Sequence, residues 1–385
     1  MKHRIILLVL GMAIMFGGCQ KDLTTDPNNT LYSSDLEQFV RVWEGFNSSY
    51  AMWPIDTTDW DRIYDKYYEV FSNNSMSNSI WEKTWEELTA SLIDHHLHIV
   101  LKRPTSGYRA ILSPGRKEVQ SRDYYHYTYN LENCLEQLST IGRLSDAEKT
   151  GIFYYGIIDG SIAYLRISQF NISDMDMDQL MVFDKFKKTV SSSQIKAAIV
   201  DMRDNPGGYS TDLGILMSCF VTEPYQIGYT QEKIGLGRMD LGPRIPYRVI
   251  PTSESQKVDC PIIALVDVNS RSMAEIAALS IKTLPNGYVV GERTYGATCM
   301  LQVNPYADQF GSFGFPLEDP SLGLSAISGH YVYTPRELFT GVDGTCYEGY
   351  GIEPDKTCYF SKDDYYNGID NQLECAIQFA LEKAK

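Results

Sequence analysis

No window of the 385 residues carries a sustained run of lysine and arginine, and 34 basic against 49 acidic side chains leave a net charge of −15. A surface that tracks phosphates needs clustered cations, so nucleic acid is excluded as a partner. After the first 22 residues no apolar stretch is long enough to cross a bilayer. No CxxC pair or metal-like spacing occurs among Cys134, Cys219, Cys260, Cys299, Cys346, Cys358 and Cys375, which removes the common zinc and dithiol frameworks. Repeats and low-complexity blocks are also missing. What remains is a globular composition, 43% hydrophobic and 22% charged, long enough for one large or two ordinary domains. The 27 tyrosines and 5 tryptophans suit a protein that buries amphipathic rings or lines a wet cleft with them.

The N-terminus is a leader. Lys2, His3 and Arg4 precede an apolar run from Ile5 to Phe16, closed by Gly17-Gly18-Cys19. The run is too short for a mature spanning helix and has the form of a secretory signal. Its ending resembles a bacterial lipoprotein signal, which implies removal of residues 1–18 and acylation of Cys19; the alternative is a plain signal peptide with an incidental cysteine. Gln20-Lys21-Asp22 resembles the retention signals of surface-exposed lipoproteins. The expectation is a soluble body tethered through Cys19 to the cell envelope at the outer membrane, facing the periplasm or the exterior. Without Cys19, seven of the eight cysteines remain in a compartment that permits disulfides. Most are expected as small buried apolar side chains, with a Cys346–Cys358 disulfide as the pairing considered.

Residues 19–34 read as a polar tether with a turn at Asp26-Pro27-Asn28-Asn29. Residues 35–103 form an N-terminal helical subdomain: Trp60, Ile63, Tyr64, Tyr67, Tyr68 and Phe71 recur at helical spacing. So do Trp81, Trp85, Leu88 and Leu92 after a cap at Ser77 or Asn78. These rings are read as core packing. Residues 104–150 are a connecting segment with no clear period. From 151 to 385 strands and helices alternate. A hairpin (Ile152–Ile158 and Ile162–Ile167) is followed by a helix at Met175–Val190, a strand at Ala197–Met202 and a short helix at Asp212–Phe220. Then come a strand at Ile262–Val268, a helix at Met273–Leu284 and a strand from Tyr288. The pattern implies an α/β domain with a mixed or parallel sheet, whose ligands gather at the carboxyl ends of strands.

Two of those strand ends carry unusual loops. Asp201-Met202-Arg203-Asp204-Asn205-Pro206-Gly207-Gly208 runs from an apolar strand into paired glycines, whose bare backbone lets N–H groups approach a ligand. Read alone, Asn-Pro-Gly-Gly is an ordinary turn. Asn269-Ser270-Arg271-Ser272-Met273-Ala274-Glu275-Ile276 puts Ser272 where a strand has ended and a helix begins. A hydroxyl there is lifted toward a cleft beside helix N–H groups, the logic of a nucleophile elbow, although Gly-x-Ser-x-Gly is absent. Read alone, Ser272 is a helix cap.

Together these segments, with Tyr164–Phe170, Gly291-Glu292-Arg293-Thr294-Tyr295-Gly296 and Tyr347-Glu348-Gly349-Tyr350-Gly351-Ile352-Glu353-Pro354-Asp355, resemble the S41 family of serine peptidases. That family includes the C-terminal processing proteases, the tricorn core and the retinoid-binding-protein-like members. The resemblance covers roughly residues 150–360. It implies a catalytic domain of the ClpP/crotonase type, Ser272 as nucleophile, and an oxyanion hole from the Met273 amide with Gly207 or Gly208. Processing proteases place a base lysine where this chain has Ala297, and alanine removes no proton; Lys282 is read as a solvated surface residue. His96 in Leu92-Ile93-Asp94-His95-His96-Leu97-His98 then matches the base of the tricorn-like members, with His95 in place of their glycine. An unperturbed imidazole suits base work near neutrality.

The histidine cluster also admits a metal site, since His96 and His98 share a face if they lie on a strand. The expectation adopted is no metal and no cofactor. Glu348 matches the glutamate that serves the site in tricorn-like members, acting on His96 directly or through another hydroxyl. The segment between His98 and Gly151 is too short for a PDZ module. The reading is thus a serine endopeptidase acting on a peptide or protein substrate; the alternative is a catalytically inactive peptide- or glycan-binding lipoprotein on the same fold.

Overall fold

A computed structural model describes residues 34–73, 75–103, 105–112, 131–299, 303–304, 309–310, 313–314 and 331–385. The expected leader, Cys19 and the expected tether up to residue 33 lie outside the described residues. Three helices open the described chain: α1 (Asp35–Ser49), α2 (Trp60–Phe71) and α3 (Asn78–Thr89). Each starts on a capping side chain, from Ser34, Asp59 and Ser77, that accepts an N–H of the first turn. Of the expected stripes, Trp60, Tyr67, Phe71, Trp81, Trp85, Leu88 and Leu92 are buried and Ile63 and Tyr64 half-buried, whereas Tyr68 is exposed. Phe39 stacks on Phe71 with ring centroids 4.9 Å apart, and Phe71 meets Trp85 at 5.0 Å.

Strands β1 (His98–Lys102) and β2 (Arg109–Leu112) follow, then α4 (Leu131–Thr140), β3 (Leu144–Thr150), β4 (Phe153–Ile158) and β5 (Ile162–Ile167). Next come α5 (Met177–Val190), β6 (Ala197–Asp201), α6 (Asp212–Met217), β7 (Tyr225–Glu232) and β8 (Ile245–Val249). After β9 (Ile262–Val266), α7 (Met273–Lys282) and β10 (Gly287–Gly291), two short strands β11 (Val303–Asn304) and β12 (Gln309–Phe310) pair with each other. The chain ends with β13 (Phe313–Gly314), β14 (Tyr331–Tyr333), β15 (Glu337–Gly341), β16 (Lys356–Thr357), α8 (Lys362–Tyr366) and α9 (Asn371–Lys383). No helix among the described residues is long and apolar enough to cross a membrane.

The central sheet has the order β16-β10-β9-β6-β5-β4-β3. Strands β5, β6, β9, β10 and β16 run parallel, and β3, β4 and β5 are joined antiparallel. Both faces of its centre are covered, which is why β6 and β9 read as unbroken apolar runs. Ala198 and Val200 of β6 pack with α5 and α7, whereas Ile199 of β6 and Ile263 and Leu265 of β9 pack with α4 and α9. The N-terminal helices join the first of these cores. A second sheet, β13-β14-β1-β2, draws strands from both ends of the described chain, so the segment carrying the three clustered histidines is anchored to β14 through His98–Tyr333 pairing. A third sheet has the order β15-β7-β8.

Several expectations change. Residues 104–150 contain β2, α4 and β3; β3 is an edge strand whose side chains are mostly exposed, so Leu-Ser-Asp-Ala-Glu-Lys-Thr has no apolar alternation to read. Helix α5 begins at Met177, because Asp176 and Gln179 form a reciprocal capping box. The Cys346–Cys358 pairing is incorrect. Cys358 follows β16 directly, faces α9 and forms its disulfide with Cys375, while Cys346 is a free thiol that hydrogen-bonds to Cys299.

Candidate active site

Strand β9 ends in a tight turn made by a buried carboxylate. Asp267 accepts the N–H groups of Asp204, Asn269 and Ser270 at 2.9–3.0 Å, and burial raises its pKa to about 7 against those hydrogen bonds. Ser272 then takes φ +56°, a left-handed conformation rare for a non-glycine residue, at the N-cap of α7. Its N–H donates to Glu275 at 3.1 Å. Glu275 is itself buried and also accepts Thr294 Oγ1, the Gly296 N–H and the Ala297 N–H at 2.5–2.7 Å. One carboxylate thus fastens the loop after β10 to the serine turn.

The loop after β6 comes up against the same turn. Asp201 is gripped by the Arg203 guanidinium, which also holds Asp370 at 2.7 Å, and accepts the Tyr164 hydroxyl at 2.8 Å. Asn205 then builds the loop: its Nδ2 donates to the Ile167 carbonyl, its Oδ1 accepts the Gly207 N–H at 2.8 Å, and its own carbonyl accepts the Arg271 N–H at 3.0 Å. Gly207 has φ +93°, and a Cβ on it would lie 2.7 Å from both Ser272 Cβ and the Met273 nitrogen. A Cβ on Gly208, at φ +144°, would lie 1.9 Å from the Phe170 carbonyl oxygen. Glycine is required at both positions. The Gly207 amide is engaged by Asn205, whereas the Gly208 and Met273 amides have no hydrogen-bond partner among the described residues.

The histidine segment closes the other wall. Asp94 is fully buried; it accepts the His96 N–H at 2.8 Å and the Thr334 hydroxyl at 2.6 Å. Glu348 accepts the His95 N–H at 3.1 Å on one oxygen and the Thr298 and Cys299 N–H groups at 2.7 Å on the other. A ring nitrogen of His96 and one carboxylate oxygen each from Asp94 and Glu348 lie within 4.8 Å of one another. All four carboxylate oxygens already accept protein donors, so the trio reads as a hydrogen-bonded support behind His96. His95 stays out of the left-handed conformation that would favour a glycine, and its Nδ1 meets the Tyr295 carbonyl at 3.1 Å.

Both ring nitrogens of His96 are shielded from water and lack a hydrogen-bond partner. Burial, with Arg271, His98 and His95 adding to it, lowers the His96 pKa to about 3, so the ring is neutral near pH 7. Burial and the nearby Asp94 charge push Glu348 well above the usual carboxylate range.

A cavity of about 560 Å³ joins these walls. Ser272, Met273, Gly208 and His96 line it together, although Ser272 and His96 are 176 positions apart in the sequence. Gly207 sits behind Ser272 and Glu348 behind His96, neither on the lining. Ala297 is buried, its N–H bound to Glu275, and Lys282 bonds Asp355 at 2.7 Å on the far end of α7. Sequence reasoning assigned no role to Asp94, Asn205, Glu275 or Arg271. The signal for Glu275 was its place three residues after a serine cap; the others become legible only once distant loops meet.

The family model of peptidase family S41 matches residues 161–358, and the chain belongs to that family. It is 27% identical over 228 residues to the tricorn protease of Thermoplasma acidophilum, covering 59% of this chain and 17% of that protein. It is 26% identical over 148 residues to the carboxy-terminal processing protease CtpB of Bacillus subtilis, covering 38% of this chain and 28% of the relative. The chain therefore spans less than a fifth of the tricorn protein it matches. Among solved structures, a candidate peptidase from Parabacteroides merdae superposes with TM-score 0.66 at 24% identity, covering 91% of this chain and 98% of its own. Mature CPAF superposes with TM-score 0.64 at 14% identity, covering 91% and 97%. The fold is that of the S41 peptidases, with the ClpP/crotonase-like α/β core, and family membership supports a serine peptidase.

Proposed function

We propose that the chain is a serine endopeptidase whose nucleophile is Ser272, whose base is His96 and whose imidazolium is supported by Glu348, with Asp94 fixing the histidine segment. The observation that carries this reading is the single cavity lined by Ser272, in its left-handed turn, and by a neutral His96 with unpartnered ring nitrogens. Ser272 Oγ forms a bond to the peptide carbonyl carbon as its proton passes to His96. The imidazolium returns a proton to the leaving amine as the C–N bond breaks, and water then hydrolyses the acyl-enzyme. The amides of Gly208 and Met273 receive the oxyanion, since that of Gly207 is held by Asn205. The protein acts from a lipid anchor at Cys19, on the envelope side to which the leader directs it.

A fluorophosphonate probe tests the chemistry. Labelling of the wild type at Ser272, absent from Ser272→Ala and slowed by powers of ten in His96→Ala, is the expected result. No labelling of the wild type, together with retained peptide or glycan binding, sinks the peptidase reading in favour of a binding protein. Metabolic labelling with an alkyne fatty acid, lost in Cys19→Ala, tests the anchor.

A further inference from the structure

Among the described residues lining the cavity, Arg271 is the single one with a permanent charge. It directly precedes Ser272, is exposed, and makes no ion pair among the described residues, although the chain carries 49 acidic side chains. Its backbone is fixed at both ends: the N–H donates to Asn205 and the carbonyl accepts from Ala274. Its guanidinium lies 5.7 Å from the centre of the Tyr295 ring, and Tyr295 is itself held through its N–H to the Ser270 carbonyl at 3.0 Å. Stacking on an aromatic face holds a guanidinium's orientation and leaves its N–H donors available for a planar anion.

Beside the main cavity, a recess of about 40 Å³ is walled by Arg271, Tyr295, Asn269, Pro206 and Asp204. Asp204 is the carboxylate that faces this recess, and its Oδ1 accepts the Asn269 side-chain amide at 3.2 Å. Arg271 thus stands where main cavity and recess meet, one residue from the nucleophile.

We propose that Arg271 selects substrates that present a carboxylate next to the scissile bond, either an Asp or Glu side chain or the free C-terminus of a short peptide. This rests on the peptidase reading above and names its substrate class. The guanidinium pairs with the carboxylate when the peptide enters the cleft, and among the described lining residues no Lys or second Arg competes with it. Arg271 contacts the substrate and neither gives nor takes a proton, so its discrimination between acidic and neutral peptides falls on KM, while its charge acts on the His96 ring equally for both.

The test uses the full-length wild-type protein with fluorogenic peptide mixtures in which Asp or Glu replaces Asn or Gln at each position, each made as free acid and as amide. Acidic peptides are expected to have kcat/KM about tenfold above their amide isosteres. That ratio collapses toward one in Arg271→Gln, with the loss falling on KM for the acidic peptides and not for their amide isosteres, and is partly kept in Arg271→Lys; any change in kcat or labelling common to both peptide sets reports the guanidinium's effect on the His96 ring and cancels in the ratio. Preference confined to the free acids assigns the carboxylate to the chain end, and preference kept in amidated Asp and Glu peptides assigns it to a side chain. Equal turnover of acidic and neutral peptides by the wild type, or an acidic preference that survives in Arg271→Gln, overturns the proposal. If the wild type neither cleaves nor labels, the peptidase reading has failed, and Arg271 is judged by fluorescence anisotropy on the same peptides: acid-selective binding lost in Arg271→Gln upholds the carboxylate site, and binding indifferent to charge refutes it.

Discussion

Gly207 lies against Ser272 so closely that a single added carbon would sit 2.7 Å from the serine Cβ. The two residues belong to the loops after β6 and β9, neighbouring parallel strands of the central sheet. Parallel neighbours end on the same side, so adjacency in the sheet carries both loops to one edge. The glycine loop therefore acts as the floor on which the serine turn rests. Asn205 locks that floor in place by bonding Gly207 and, through its carbonyl, Arg271.

Gly207→Ala consequently moves the serine and not merely the loop. The left-handed backbone costs an alanine about 1–3 kcal/mol, and the contact with the Met273 nitrogen disturbs the amide proposed to receive the oxyanion. Fluorophosphonate labelling should slow by about a hundredfold or more, the order expected for loss of one such donor, while the circular dichroism spectrum is kept. A labelling rate equal to wild type would separate Gly207 from the site.

Glu275 offers a second lever. Its Oε1 accepts the Thr294 hydroxyl and the Gly296 N–H, and its Oε2 accepts the Ser272 and Ala297 N–H groups. In Glu275→Gln, the amide NH₂ must replace one of these oxygens; placed toward Thr294 it can donate to the hydroxyl but still faces the Gly296 N–H, so a loss of about 1–3 kcal/mol in stability is expected from one unmet buried donor. Glu275→Asp, which keeps both acceptors on a shorter arm, should lose less. Urea unfolding of the three proteins ranks them; a Gln variant as stable as wild type would show that the carboxylate is not what joins the two loops.

The sequence made the central sheet legible wherever burial on both faces wrote an unbroken apolar run, as in residues 197–200 and Ile262–Val266. It concealed β3, whose polar side chains pair only at an edge, and the β15-β7-β8 sheet, whose strands are partly exposed. In the candidate site, Ser272 and His96 were found through the resemblance, and folding brings them to one cavity. Asp94 was not assigned because its partner Thr334 lies 240 positions away, a contact created only by the β1–β14 pairing. Which glycine amide stays available is likewise fixed by the Asn205 side chain, which chain order does not reveal.

The pH dependence follows from His96. With its pKa drawn down to about 3 by burial, the folded ring stays neutral through the range in which an unfolded histidine, near 6.5, takes up a proton. Unfolding therefore binds a proton between those two values. The histidine's contribution to stability is full above about pH 6.5 and is lost as pH falls toward 3. The melting-temperature difference between wild type and His96→Ala should shift against the wild type from pH 7 to pH 4.5. Ring resonances of His96 in the native protein should hold constant between pH 8 and pH 5; titration near 6.5 would mean the ring is open to water.

The Cys358–Cys375 disulfide reaches the site through a helix end. It ties the chain after β16 to α9, and the first turn of α9 carries Gln372, bonded to the Cys358 carbonyl at 3.0 Å. The N-cap of that helix, Asp370, holds Arg203, and Arg203 holds Asp201 beneath the glycine loop. Closing a loop of 17 residues restricts the unfolded chain by an amount worth about 3 kcal/mol. Cys375→Ala or reduction should therefore lower the melting temperature, and labelling of Ser272 should fall at temperatures where α9 loosens before the sheet melts. Mass mapping of non-reduced peptides checks the premise: recovery of a Cys346–Cys358 crosslink in place of Cys358–Cys375 would detach the disulfide from α9 and remove the connection to the glycine loop.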